Sequence, residues 1–208
     1  MARIETTDTS IKLVERRESD GYWVVRWDFK PKYGSDGVFW YEEEAYNWIP
    51  TITDIQTTIT DWFNKQTDGI IQHGFMWKGI NVLLNDENKF NYKAITDEAA
   101  RRETAIAIWD KEHPELEGKD VVYTEGKDDM GNVIMIPTFT GRPKSLLPIT
   151  LKLGESNLPE NFYVFMNMTE LQEFFSEGVD HLLGAYESGW TKIATFDWSP
   201  YVKALEEL

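Results

Sequence analysis

A chain of 208 residues can bury a hydrophobic core without disulfides or metals, and its lack of cysteine excludes a disulfide scaffold and a cysteine-based zinc site. Its 36 acidic and 21 basic side chains leave a net charge of −15, which disfavours binding to phosphate backbones. The apolar runs are too short to span a bilayer, the opening MARIETTDTS lacks the apolar stretch of a signal peptide, and the absence of cysteine fits a reducing compartment.

In chain order, residues 1–20 are expected as an extended arm, in which Ile11, Leu13 and Glu15 alternate with Lys12, Val14 and Arg16 as a weakly amphipathic strand. Asp20-Gly21 predicts a turn. Tyr22–Phe29 (YWVVRWDF) is the strongest strand pattern in the chain, and Gly37–Tyr41 (GVFWY) returns to make a hairpin with it. Glu42, Glu43 and Glu44 then predict a solvated strand end. Pro50-Thr51 opens a helix whose Ile52, Ile55, Ile59, Trp62 and Phe63 form one apolar stripe, with Asp68-Gly69 as its stop.

Ile70–Trp77 and Ile80–Leu84 predict two short strands around a Lys78-Gly79 turn. Asp86, Glu87 and Asn88 are acceptors expected at the next helix start, and Phe90 and Tyr92 are the aromatics that would hold that helix on a sheet. The helix should run to about Trp109, with a break near Thr96, and His113-Pro114 ends it. Val121–Thr124 and Val133–Ile136 flank the polar GKDDMGN, the pattern of a protruding hairpin. Pro148–Leu153 and Asn161–Met166 are two further strands. Thr169 and Gln172 form a capping-box pattern, followed by a helix whose buried face holds Leu171, Phe174, Phe175, Gly178, Leu182 and Ala185, with Gly189 as its stop. Ser199-Pro200 predicts the N-cap and first residue of a last short helix.

Few residues invite chemistry. His73, His113 and His181 sit at no metal-ligand spacing, and no nucleophile elbow, phosphate loop or dinucleotide fingerprint occurs. Asp128, Asp129 and Asn132 near Gly131 lack the alternating acidic positions and the later glutamate of a calcium loop, and predict a hairpin turn. No enzyme activity, metal or cofactor is expected. Nine Trp, nine Tyr and eleven Phe point to an aromatic core, to protein interfaces or to a glycan-stacking surface. Trp23, Val25 and Trp27 share one strand face, with Tyr22, Val24 and Arg26 on the other. Core or subunit contact is the better reading of that row, because a sugar site also needs converging polar groups.

Several blocks resemble a family of tail-associated proteins of Bacteroidales phages and prophages, of the crAss-like type, known as a domain of unknown function. They are VVRWDFKP with YEEEAYNWIPTITDIQTTI, FMWKGINVLLNDENKFNYKA, and LPITLKLGE with FYVFMNMTELQEFF and GWTKIATFDW, spread over residues 22–198. NKFNYKA and GW…DW are the most specific. Between Arg101 and Ser145 the chain departs from the family pattern, which passes quickly from the helix to the LPITLKLGE strand; here a helix extension and the 121–136 hairpin intervene. The resemblance implies a virion setting, in a tail, neck ring or fibre attachment, and implies no enzyme activity.

The expected fold is α+β, with small antiparallel sheets packed with three main helices and an inserted β-hairpin. The expected division is residues 1–48, arm and hairpin, and 49–208, an α+β domain with its insertion at about 101–145. Trp23, Trp27, Trp40, Asp128 and Asp129 are the candidate contacts. The expected partners are portal, tail or ring subunits and copies of the chain itself, with no specific nucleic-acid or membrane binding. The alternative is a host-glycan or receptor-binding module of a tail fibre.

Overall fold

The computed structural model describes residues 1–8 and 10–208, and it is mixed α+β. The strands are β1 (Ala2–Thr6), β2 (Val14–Arg16), β3 (Trp23–Pro31), β4 (Phe39–Tyr46), β5 (Phe75–Trp77), β6 (Ile80–Val82), β7 (Val121–Lys127), β8 (Val133–Phe139), β9 (Ile149–Lys152) and β10 (Phe162–Phe165). The helices are α1 (Ile52–His73), α2 (Asp86–Glu112), α3 (Met168–Ala194) and the short α4 (Ser199–Glu206). Small antiparallel sheets with three long helices and an inserted hairpin match the expected class. The chain divides into two compact units, residues 1–70 with 184–208, and residues 71–183.

The first unit is built on an antiparallel sheet of order β1-β4-β3-β2. The expected extended arm supplies two strands of this sheet, one on each edge, and β2 falls in the weakly amphipathic stretch. Alternation along β3 turns Val25 and Trp27 toward the apolar stripe of α1, where they join Val14, Tyr46, Ile55, Ile59 and Trp62 in one core. Trp27 meets Trp62 edge to face at 6.3 Å. Chain residues far in sequence complete this core. Tyr201 of α4 is buried there, and its hydroxyl donates to the Arg26 carbonyl at 3.0 Å. Burial pushes the Tyr201 phenol up. That long-range closure is why the units do not part near residue 48: the strands of the N-terminal segment need α1 and the C-terminal helix to cover them.

The glutamate run is not a solvated strand end. It lies within β4, and Glu42 and Glu43 are both buried. The reason is the register, which sets Arg3 of β1 opposite Glu42 and Arg26 of β3 opposite Glu43. The guanidinium groups close at 2.6 Å and 2.8 Å respectively. Arg17 also reaches Glu43 at 2.6 Å, and Arg26 reaches Glu15 at 2.5 Å. Burial works against the Arg26 charge, but the hydrogen bonds to Glu15 and Glu43 outweigh it and leave its pKa raised.

Helix ends also differ from expectation, for local reasons. α1 passes Gly69 and stops at Gly74, which takes φ 72 as a left-handed cap. A Cβ on Gly74 would fall 1.6 Å from the Val82 carbonyl oxygen, so only glycine fits. α3 passes Gly189, because that glycine faces Thr67 of α1: a Cβ there would sit 2.2 Å from the Thr67 hydroxyl. The α3 cap lies two residues before the expected one. Asn167 accepts the Glu170 N–H at 3.0 Å, and Glu170 accepts the Met166 N–H at 3.2 Å. In α4 Ser199 is already helical and Trp198 holds the cap position.

The second unit opens with the β5–β6 hairpin, whose Lys78 and Gly79 both take positive φ (46° and 86°), as a tight two-residue turn requires. Asn85 caps α2 by accepting the Asn88 N–H at 2.8 Å. α2 runs unbroken through Thr96, which is buried and has its hydroxyl satisfied inside the helix by donating back to the Tyr92 carbonyl at 2.9 Å. Tyr92 holds the helix as expected: it is buried, donates to the Lys152 carbonyl at 3.2 Å, and its phenol is pushed up to about 12 by burial. Phe90 does not, since it points outward and is 73% exposed. Trp77, Phe165 and Phe174 form the aromatic centre of this unit, with Trp77 and Phe174 edge to face at 5.4 Å.

Candidate interaction surface

β7 and β8 form a two-stranded ribbon of seven residues a side, longer than the pattern predicts. The register pairs Tyr123 with Pro137, Glu125 with Met135 and Lys127 with Val133. One face therefore carries Tyr123, Val133, Met135, Pro137 and Phe139, and the other carries Ile134 and Ile136. Every residue of β8 is exposed, and Phe139 is 78% so. On the second face Ile136 lies across Gly126, where a Cβ would meet its Cδ1 at 2.3 Å. A lone two-stranded ribbon is marginal in water, and its outer edges leave backbone groups unpaired.

The base of the ribbon is clamped. Arg142 forms a bidentate pair with Asp110 of α2, at 2.8 Å for each nitrogen, and reaches Asp120 at 3.5 Å. The first effect of that pair is to hold the Asp110 carboxyl below the usual range and the Arg142 guanidinium above its own. The Thr140 N–H donates to the Asp120 carbonyl at 3.0 Å, and Ser145 donates to Glu103. The apolar ribbon is thus held out from a fixed root.

At the tip, Asp128 works as the turn residue expected from GKDDMGN. Its carboxylate accepts the Met130 N–H at 2.9 Å, the Asn132 N–H at 2.8 Å and the Asn132 amide at 2.9 Å. Those bonds, the Asn132 side chain first, hold its pKa below the usual carboxylate range. Asp129 is exposed beside it, and Met130 at the apex is 88% exposed.

The tryptophans of the candidate set are used inside the first unit. Trp27 is 1% exposed and offers no ring face for a sugar to stack on. Trp23 packs partly buried against the same core. Trp40 is half-buried, with the Arg3 guanidinium 3.8 Å above its ring. Only Asp128 and Asp129 lie on the protruding surface, and of these Asp128 is spent on the turn.

A second feature of the 71–183 unit had no counterpart in the motifs. An apolar hollow of about 170 Å³ opens between α2 and α3, floored by Phe75 and Tyr92 and walled by Phe174, Phe175 and Leu182. Lys89 and Lys93, one turn apart on α2, line it as well. The i, i+4 spacing of these lysines beside Tyr92, and of Phe174 and Gly178, was the available signal. The signal for the ribbon was VIMIPTF itself, an apolar run without alternation and with no covering element predicted for either face. Comparison of the chain with protein-family models, curated proteins and solved structures gives no match.

Proposed function

We propose that this chain is a structural protein of a tailed-phage virion, in the tail, neck ring or fibre-attachment region, which works by assembling with other subunits through its inserted hairpin. The observation that carries the reading is the ribbon itself: two strands with apolar side chains on both faces, all of β8 exposed, on a root clamped by Arg142 and Asp110. Isolated apolar surface of this kind marks a contact made elsewhere. The sequence blocks that resemble phage tail-associated proteins supply the setting. The partners are other virion subunits and further copies of the chain.

The test is replacement of residues 121–139 by a Gly-Gly link. Asp120 and Thr140 are already joined by the 3.0 Å backbone hydrogen bond, so the root can close without strain. The shortened chain should fold with an unchanged melting transition and disappear from purified particles in quantitative mass spectrometry. Incorporation at the full level would remove the assembly role of the hairpin, and absence of the intact chain from particles would remove the virion reading.

A further inference from the structure

We propose that the hairpin tip of one copy seats in the hollow between α2 and α3 of a second copy, so that the chain assembles head to tail. The proposal rests on the assembly reading above and names the partner of that surface.

The hollow defines what fits it. Its walls are almost wholly apolar, its volume is about 170 Å³, and Lys89 and Lys93 line it on one side. That is room for about one side chain; the apolar stems of the lysines line it, and their ammonium groups lie beside it at Asp86 and Asp97. The chain presents such a knob. Met130 stands at the apex of the β7–β8 turn, 88% exposed, between the carboxylate-bearing Asp128 and Asp129 on one side and Gly131 on the other. Methionine is flexible and polarisable and fills irregular apolar holes well. The Asp128 bonds fix the apex, so little freedom is lost when it docks.

Charge points the same way. On a chain of net charge −15, an acidic tip is repelled by most of the surface and attracted to a lysine pair. Lys89 and Lys93 bond to Asp86 at 2.8 Å and Asp97 at 2.6 Å, but those are exposed pairs within the helix, of little strength, and each ammonium keeps further donors. The exposure of Met130 shows that it does not occupy the hollow of its own chain. Tip and hollow are different patches, so the contact is heterologous: it runs on from copy to copy and closes into a ring where the rotation allows. The apolar face of Tyr123, Met135 and Phe139 would then lie along the neighbouring copy.

The test uses the full-length chain in light scattering and sedimentation at increasing concentration. Self-association is expected, weakened on the order of tenfold by Met130→Asp, by substitution of Val179, which also lines the hollow, as Val179→Trp to fill it without a charge change, and by Lys89→Glu with Lys93→Glu. Adding Asp129→Lys to the lysine reversal should restore association, an effect that a general loss of stability would not produce. Association that ignores all of these variants overturns the tip-in-hollow contact. A wild-type chain that stays monomeric at every concentration overturns the second copy as occupant, while particle composition separately decides the assembly reading: a monomer found in virions would carry a different subunit on its hairpin.

Discussion

The β1–β4 sheet and the β7–β8 ribbon are both antiparallel, and they place their side chains in opposite ways. In the sheet, charged groups are inside: Arg26, Glu42 and Glu43 are buried among neighbours that satisfy them. In the ribbon, apolar groups are outside, from Tyr123 to Phe139. The sheet can bury charge because two flanking strands set guanidinium groups opposite the carboxylates, and a fully paired network avoids the cost of an isolated charge. The ribbon exposes its apolar residues because, among the described residues, β7 and β8 pair only with each other. The contrast separates a region whose charged groups are paired internally from a region whose apolar side chains face water.

The largest effect should come from breaking the sheet network on one side only. Arg26→Ala removes the buried one of the two guanidinium partners of Glu43, leaving Arg17, and should destabilise the chain by up to about 3 kcal/mol in urea unfolding. Replacing both members, Arg26→Met with Glu43→Leu, should recover part of that loss, since no buried charge is left unpaired and Arg17 and Glu15 can turn to water. If the single and double variants were equally unstable, the pairing would not be what permits the burial.

Next in size is the close approach of α1 and α3 in the first unit. Gly189→Ala puts a methyl 2.2 Å from the Thr67 hydroxyl and should cost about 1–3 kcal/mol in thermal unfolding. Thr67→Ala in the same chain should relieve it. An alanine that stabilises α3, as helix propensity alone would have it, would show that the contact is slack.

The ribbon should respond in the other sense. Met135→Lys and Phe139→Lys should change the stability of the isolated chain by no more than about 0.5 kcal/mol, because both side chains are already in water. Their effect should appear only in association or particle incorporation. A large loss of stability would place the ribbon with the sheet, as an internal surface.

The smallest effect concerns the root of the ribbon at low pH. Arg142 holds the Asp110 carboxyl below its ordinary range. Its contribution is thus complete above the unfolded value of about 3.9 and is lost as pH falls through the lower folded value. Protection factors in β7 and β8, corrected for the intrinsic pH dependence of exchange, should be unchanged from neutral pH to about 5 and should fall once the pH drops under the unfolded value, and Asp110→Asn should make them low at every pH. Protection that is equal in both proteins would mean the clamp does not order the ribbon.

The sequence by itself determined the features that depend on neighbours three or four residues away. These include the α+β class, the α1 stripe from Ile52 to Phe63, the Lys78-Gly79 turn, the stop at His113-Pro114, and the GKDDMGN tip with Asp128 as its turn residue. Propensity, periodicity and turn chemistry are local, so they survive in one dimension. The tertiary structure alone decided where each side of an element faces. Glu42 and Glu43 read as solvated until the register set Arg3 and Arg26 opposite them. Gly189 read as a stop until Thr67 was found where its side chain would be. Phe90 and Tyr92 read alike, although only Tyr92 turns inward. The hollow joins Phe75, Tyr92 and Phe174, distant along the chain, and the division into units depends on residues 184–208 returning to the sheet. Burial is a property of what lies across space, and no local pattern carries it.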